Sequence, residues 1–376
     1  MKRQKYIDQI NNQFDVHRAC GLLGPRQCGK TTLAKEFVRL HEIPKNNYFD
    51  LENPIDLERL QNPVLTFEAL QGYIVIDEIQ RRPDLFPVLR YIIDNSNLKF
   101  LILGSASREL IKQSSETLAG RIGYIEIKPF DALETMEIQH LWFRGGFPLS
   151  YLAQTDAASF EWRMQYIQTF LERDIFNLGF SIPAAQLRRF WMMLTHYHGQ
   201  IFNASEIGQA LGVSHHTVQH YLSILEGTFM IRVLRPWFEN LKKRQVKSPK
   251  IYFRDSGLYH ALMGIRSPED IQVNPRIGAS WEGFALEEII TYFDVRPEDC
   301  YFWSTHSVAE IDLLLFKDGK RIGIDFKYGD VPSRPKTMNR IIEDLRLDEV
   351  KLVYPGDKRY FVSDKVEALG LKTLLD

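Results

Sequence analysis

Short apolar runs and helical spacings take turns along the first third of the chain. Ala19-Cys20-Gly21-Leu22-Leu23 is continuous and ends at Gly24, and from Thr31 onward Leu33, Phe37, Val38 and Leu40 recur at helical intervals. The next strand is expected at Asn47–Leu51. Gly72 then leads into Tyr73-Ile74-Val75-Ile76, apolar on both faces as a central parallel strand must be. A helix through Leu85, Val88, Leu89, Ile92 and Ile93 follows, then strands at Phe100-Leu101-Ile102-Leu103 and Tyr124-Ile125-Glu126-Ile127. Strands alternating with helices predict an α/β domain with a parallel sheet over residues 1–130.

Beyond it the pattern changes. From Ala132 to about Leu178 it is helical and rich in aromatic residues, broken by Gly145-Gly146-Phe147-Pro148, which predicts a helical lid over 131–185. Ala204–Leu211, the turn Gly212-Val213-Ser214 and His215–Leu225 read as helix, turn, helix, with Ser214 the N-cap of the second helix. Strands at Met230–Leu234 and Lys250–Phe253 would complete a winged helix over 186–255. A helix at Trp281–Tyr292 and strands at Cys300–Ser304, Glu310–Phe316, Arg321–Lys327 and Lys351–Tyr354 predict a last α/β domain over 256–376.

Composition narrows this picture by exclusion. A chain of 376 residues exceeds one ordinary core, which supports several domains. With 47 Lys+Arg against 48 Asp+Glu the net charge is −1, so the molecule is no polycation and any nucleic-acid contact must come from a local patch. The three cysteines, Cys20, Cys28 and Cys300, form no pairing pattern and suit a reducing compartment, so a cytoplasmic location is expected. No apolar run reaches the ~20 residues of a membrane helix. The stretch Met1–Asn12 lacks the apolar core of a signal peptide, so neither export nor membrane insertion is expected.

The sharpest chemistry lies between the first strand and the first helix. Gly24-Pro25-Arg26-Gln27-Cys28-Gly29-Lys30-Thr31 fits GxxxxGKT in the context its mechanism needs. Backbone amides and the helix N-terminus hold phosphates, Lys30 reaches the β- and γ-phosphates, and the Thr31 hydroxyl offers itself to Mg²⁺. The strand at Tyr73 ends in Asp77 and Glu78, placing Asp77 to hold Mg²⁺ and Glu78 to polarise the attacking water. Ser105 ends the next strand, either as a sensor of the γ-phosphate or as ordinary turn chemistry. Arg121, in Leu118-Ala119-Gly120-Arg121, is either a charge that neutralises the transition state, from this or a neighbouring subunit, or a surface arginine paired with a carboxylate. The expected ligands are ATP and Mg²⁺.

These residues resemble the AAA+ class of P-loop ATPases, in particular the bacterial and archaeal group with the wording GPRQxGKTTL, DEIQ, GS and LAGR. Here the wording falls on Gly24 through Thr31 with Thr32 and Leu33, on Asp77-Glu78-Ile79-Gln80, on Gly104-Ser105 and on Leu118-Ala119-Gly120-Arg121. The resemblance runs on through Gly145-Gly146-Phe147-Pro148, and the C-terminal part is similar to the domain of unknown function 4143. It implies ATP binding and hydrolysis, with Gly24–Thr32 and Ser105 at the nucleotide. A homo-oligomer would be an analogy to the wider class.

A second constellation lies near the C-terminus. Asp312, then Asp325 and Lys327, fall as D…DxK on two strands, with Asp325 and Lys327 on one face. Two carboxylates there can clamp a divalent cation while the lysine stabilises developing charge. The pattern resembles the restriction-endonuclease-like PD-(D/E)xK group, whose additional helical carboxylate would be Glu282. Asp stands at 325 where Glu is commoner, shortening the reach to metal by one methylene. The alternative is a charged hairpin turning at Lys317-Asp318-Gly319-Lys320. DNA is the expected partner, through this domain and the helix headed by His215, His216, Thr217, Gln219 and His220, with Lys242, Lys243, Arg244 and Lys247 as a positive wing. Alternatively the winged helix only positions domains and the C-terminal fold is a docking surface for protein. His216 and His220 lack a third metal ligand, His196 and His198 read as packed or capping, and Trp142, Trp162, Tyr166 and Trp191 read as core.

Overall fold

A computed structural model of the chain describes residues 3–105, 117–239, 245–305, 309–329 and 337–375. They form two compact units, one of residues 1–129 with 227–229, the other of residues 130–226 with 230–376.

In the first unit five strands, β1 (Ala19–Gly24), β2 (Tyr48–Asp50), β3 (Tyr73–Asp77), β4 (Lys99–Ser105) and β5 (Ile122–Glu126), form a sheet of order β2-β3-β4-β1-β5. Every pairing is parallel, as the strand-helix alternation predicts. All six residues of β1 are buried, because helices cover both faces. Helices α1 (Gln4–Val16) and α2 (Lys30–Leu40) pack Tyr6, Ile7, Ile10, Phe14, Leu33 and Phe37 against one face. On the other face α3 (Pro54–Arg59), α4 (Pro63–Glu68) and α5 (Leu85–Asn95) surround a core that takes Leu85, Phe86, Leu89, Ile92 and Ile93 from α5. Each such side chain contributes about 1.5–3 kcal/mol on burial. The expected strand at Asn47 begins one residue later, since Lys45–Asn47 is a 3₁₀ turn.

The second unit is organised around one nine-stranded sheet of order β13-β14-β12-β11-β10-β9-β7-β8-β6. Its strands are β6 (Gln200–Ile201), β7 (Ile231–Pro236), β8 (Lys250–Phe253), β9 (Cys300–Ser304), β10 (Glu310–Lys317), β11 (Lys320–Phe326), β12 (Glu349–Tyr354), β13 (Arg359–Ser363) and β14 (Val366–Gly370). Helix Ile277–Phe293 covers one face through Trp281, Phe284 and Ile289, and helix Met338–Leu345 the other through Met338, Ile341 and Leu345.

Two expectations about domain borders meet a different arrangement. β7 and β8 pair antiparallel as a wing would, yet β7 also pairs in parallel with β9, so both belong to the large sheet. The stretch 131–185, expected as a lid on the first domain, clusters with the second unit. Its Trp142 meets Trp281 edge to face at 5.4 Å and donates to Ser280 Oγ at 3.0 Å. Tyr166 and Trp191 are buried in the neighbouring helical core, as the core reading of these aromatics requires. The helix pair Ala204–Leu211 and His215–Gly227 is present, and Ser214 Oγ accepts from Thr217 N at 3.1 Å. His198 is packed, stacked on Tyr259 with its Nδ1 accepting from Phe253 N at 3.0 Å, whereas His196 is exposed.

Candidate functional site

β1 delivers the phosphate loop. Past Gly24 the chain turns and enters α2 at Lys30, with Gln27 at φ 61° and Gly29 at φ 101°. These left-handed positions turn successive amides inward at the positive end of α2, forming an anion-binding concavity. Cys28 serves this loop through its backbone alone. Its side chain is buried, Sγ donates to Ile127 O at 3.3 Å, and burial pushes the thiol pKa up. Arg3 holds the loop from behind, donating to Cys28 O at 3.1 Å and Lys128 O at 2.9 Å.

Lys30 is buried and bends over the loop, its Nζ donating to Gly24 O at 2.9 Å and Pro25 O at 2.8 Å. Two neutral carbonyls are weaker partners for an ammonium than phosphate oxygens, so these bonds are ready to exchange. Thr31 Oγ1 donates to Asp77 Oδ2 at 2.9 Å, joining the two expected Mg²⁺ ligands. Both are hard oxygen donors, which fits that ion. Tyr48, which sequence reading missed, donates its hydroxyl to the same oxygen at 2.9 Å, and Glu78 N donates to Oδ1 at 3.0 Å. Glu78 stands at φ 59° with its carboxylate accepting from Gln80 Nε2. Burial raises its pKa, opposed by Lys30.

Around this centre, half-buried Arg26 and exposed Arg81 both approach Glu52, at 3.5 and 3.7 Å. Thr32 is exposed on α2. Ser105 pairs in register with Gly24, so its backbone adjoins the loop, while its side chain lies outside the described residues. Arg121 is elsewhere. It precedes β5, whose first residue Ile122 pairs with Ala19 at the opposite end of β1 from the loop. Its guanidinium grips Asp94 at 2.6 and 2.9 Å. A strand of this length spans roughly 17 Å, so Arg121 does not reach the nucleotide of its own chain, and the surface-pair alternative describes it here.

In the second unit, Asp312 on β10 and Asp325 on β11 lie side by side, and Glu282 comes over from helix Ile277–Phe293. An irregularity between Ile311 and Leu314 in the β9 pairing falls at Asp312, the kind of bulge that re-aims a side chain. Lys327 sits 3.0 Å from Asp325, on the same side as expected. A further residue stands in their midst. Lys250, at the head of β8 with a side chain only 5% exposed, places Nζ 3.2 Å from Asp312 Oδ1 and 3.8 Å from Glu282 Oε1, and also contacts Glu310. Burial works to strip its proton, but Tyr252, Asp312, Glu282 and Glu310 outweigh it and hold its pKa well above the ordinary lysine value. Burial and the Asp312 charge push Glu282 up to about 8 and Asp325 to about 7. Tyr252 donates to Glu282 at 2.6 Å, and Phe326 N to Asp312 Oδ2 at 3.1 Å. Among the described residues no group of three or more His, Cys, Asp or Glu is arranged to hold a metal ion.

On the helix-turn-helix, His215, His216, Gln219 and His220 are exposed on the second helix. Lys242, Lys243 and Arg244 lie outside the described residues. No helix among the described residues is long and apolar enough to cross a membrane.

A phosphate cradle on a parallel sheet, faced by a strand-end aspartate and glutamate, defines a P-loop ATPase domain, and residues 16–136 match the AAA domain family. Residues 135–269 and 277–374 match two domains of unknown function, DUF8612 and DUF4143. The chain belongs to one family with uncharacterised proteins of Mycobacterium tuberculosis and Mycobacterium bovis, each 44% identical over 366 residues, spanning 96% of this chain and 82% of the relative. An uncharacterised protein of Haemophilus influenzae is 22% identical over 297 residues, 70% of this chain and 74% of its own. Among solved structures, the Walker-type ATPase of Pyrococcus abyssi aligns with a TM-score of 0.46 at 16% identity, covering 70% of this chain and 95% of that one.

Proposed function

We propose that the chain hydrolyses ATP with Mg²⁺ and uses the nucleotide state to control the second unit. The observation that carries the reading is the convergence of Lys30, Thr31, Asp77 and Glu78 on the mouth of the loop. Loop amides and Lys30 would hold the phosphates, Thr31 and Asp77 would hold Mg²⁺, and the metal supplies charge neutralisation at the phosphoryl group. Glu78 takes the proton of the attacking water, while Tyr48 and the Glu78 amide keep Asp77 in place. Any arginine from outside the chain's own site would come from a neighbouring copy, where Arg121 remains a candidate.

Steady-state ATPase assays with nucleotide-binding measurements test this. Lys30→Ala is expected to lose binding and turnover. Glu78→Gln keeps binding but loses about 10²–10⁴ in rate, the range of general-base catalysis. Undiminished turnover in Lys30→Ala sinks the mechanism.

For the second unit the proposed partner is DNA, supported by the exposed polar face of the helix headed by His215. Cleavage through Asp312, Asp325 and Lys327 is supported by their meeting on adjacent strands with Glu282. The second reading, a non-catalytic docking domain, is favoured by the position of Lys250. Binding of labelled duplex by wild type, weakened in Gln219→Ala, supports DNA; no binding at low salt rejects it.

A further inference from the structure

The carboxylates of the second unit already have a cation. Glu282, Glu310, Asp312 and Asp325 surround two ammonium groups, and one of them, Lys250, is buried at the centre. A divalent ion in a PD-(D/E)xK frame would need oxygens of Glu282, Asp312 and Asp325 turned to one point at about 2.0–2.6 Å. Here most of those oxygens are engaged otherwise. Asp312 Oδ1 faces Lys250 at 3.2 Å and its Oδ2 accepts from Phe326 N at 3.1 Å. Glu282 Oε1 accepts from Tyr252 at 2.6 Å, and Asp325 accepts from Lys327 at 3.2 Å through Oδ1, its Oδ2 being buried without a hydrogen-bond partner. With the Lys250 ammonium between Asp312 and Glu282, the donor set does not fit a divalent cation as it stands.

Burial makes this arrangement mutually dependent. A desolvated ammonium persists only with paired, hydrogen-bonded acids, and crowded acids persist as anions only with a cation among them. Lys250 comes from β8, across β7 and β9 from the strand that carries Asp312, so sheet order rather than a mobile loop sets its place.

We propose that Lys250 is the resident, tethered cation of this acidic pocket, standing in for the metal ion of a nuclease, so that the second unit neither takes up Mg²⁺ or Mn²⁺ here nor cleaves nucleic acid by a metal-dependent route. The inference rests on the nuclease-like reading of Asp312, Asp325 and Lys327, and it assigns the frame to binding rather than cutting.

Mn²⁺ binding to the full chain without nucleotide, read by loss of the free-ion signal in electron paramagnetic resonance, tests it. Wild type and Asp312→Asn are expected to bind equally, any loop-bound ion being common to both. Lys250→Met is expected to gain one Mn²⁺ per chain, and Lys250→Met with Asp312→Asn to lose it again. More Mn²⁺ on wild type than on Asp312→Asn overturns the proposal. So does a folded Lys250→Met that gains none, or Mn²⁺-dependent DNA cutting by wild type that Asp325→Asn abolishes. Should Lys250→Met fail to fold, the comparison of wild type with Asp312→Asn decides alone. Failure of DNA binding would leave these results unchanged, so the two readings fail separately.

Discussion

As the proposed base, Glu78 must be both placed and charged, and its burial opposes the charge. Its left-handed backbone at φ 59° costs about 1 kcal/mol or more in a non-glycine residue, and burial raises its pKa above the usual 4.5. Lys30 and the Gln80 amide favour the carboxylate form, whereas Asp77 disfavours it. A base acts only when deprotonated, so the ATPase rate should fall as pH drops through this raised value, at higher pH than for an ordinary glutamate. Gln80→Ala removes a donor to the charged form, which moves the acid limb of the kcat profile to higher pH and slows turnover several-fold at neutral pH, within the reach of general-base effects. An acid limb that stays put in Gln80→Ala would show that Gln80 does not tune the base. The placement of Lys30, Thr31, Asp77 and Glu78 around the loop was legible in the sequence because each position follows from local spacing against one strand or one helix end. Tyr48 and Lys250 were not. Tyr48 meets Asp77 only because β2 pairs with β3, and Lys250 meets Asp312 only through the order of a nine-stranded sheet.

At the scale of elements, hydrophobic runs located the inner strands well and the outer pieces poorly. β1, β3 and β4 are buried on both faces and announce themselves as continuous apolar stretches. Helix α1 was missed because polar residues crowd the four apolar positions it buries, Tyr6, Ile7, Ile10 and Phe14. Edge strand β13 is half-exposed and carries no such run. The turn Lys317-Asp318-Gly319-Lys320 predicts a hairpin, and the structure closes β10 onto β11 with Lys317 opposite Lys320 and with Asp318 at φ 50° and Gly319 at φ 76°. Two successive positive φ values match the twist of the flanking strands, and only glycine adopts them freely. Gly319→Val should therefore destabilise the second unit by about 1–2 kcal/mol, whereas Asp318→Gly should be close to neutral. Urea unfolding of the two variants checks this, and equal stability of Gly319→Val and wild type would mean that the turn does not set the register.

At the scale of the molecule, the distribution of aromatic residues offers a direct test of nucleotide control. All six tryptophans, Trp142, Trp162, Trp191, Trp237, Trp281 and Trp303, belong to the second unit, and the nucleotide loop belongs to the first. Tryptophan emission therefore reports the second unit alone, and a ligand at Lys30 contacts no tryptophan on its own unit. Nucleotide binding shifts an equilibrium elsewhere only if it distinguishes two states of what it is linked to. If ATP with Mg²⁺ governs the second unit, adding it to wild type should change tryptophan emission, with a midpoint matching the nucleotide affinity measured independently, and Lys30→Ala should abolish the change. With a slowly hydrolysing Glu78→Gln chain the altered emission should persist for as long as ATP stays bound, which separates an effect of binding from one of turnover. Emission that never moves while nucleotide binds tightly would leave an ATPase without influence on its companion unit, and the control reading would have to be given up.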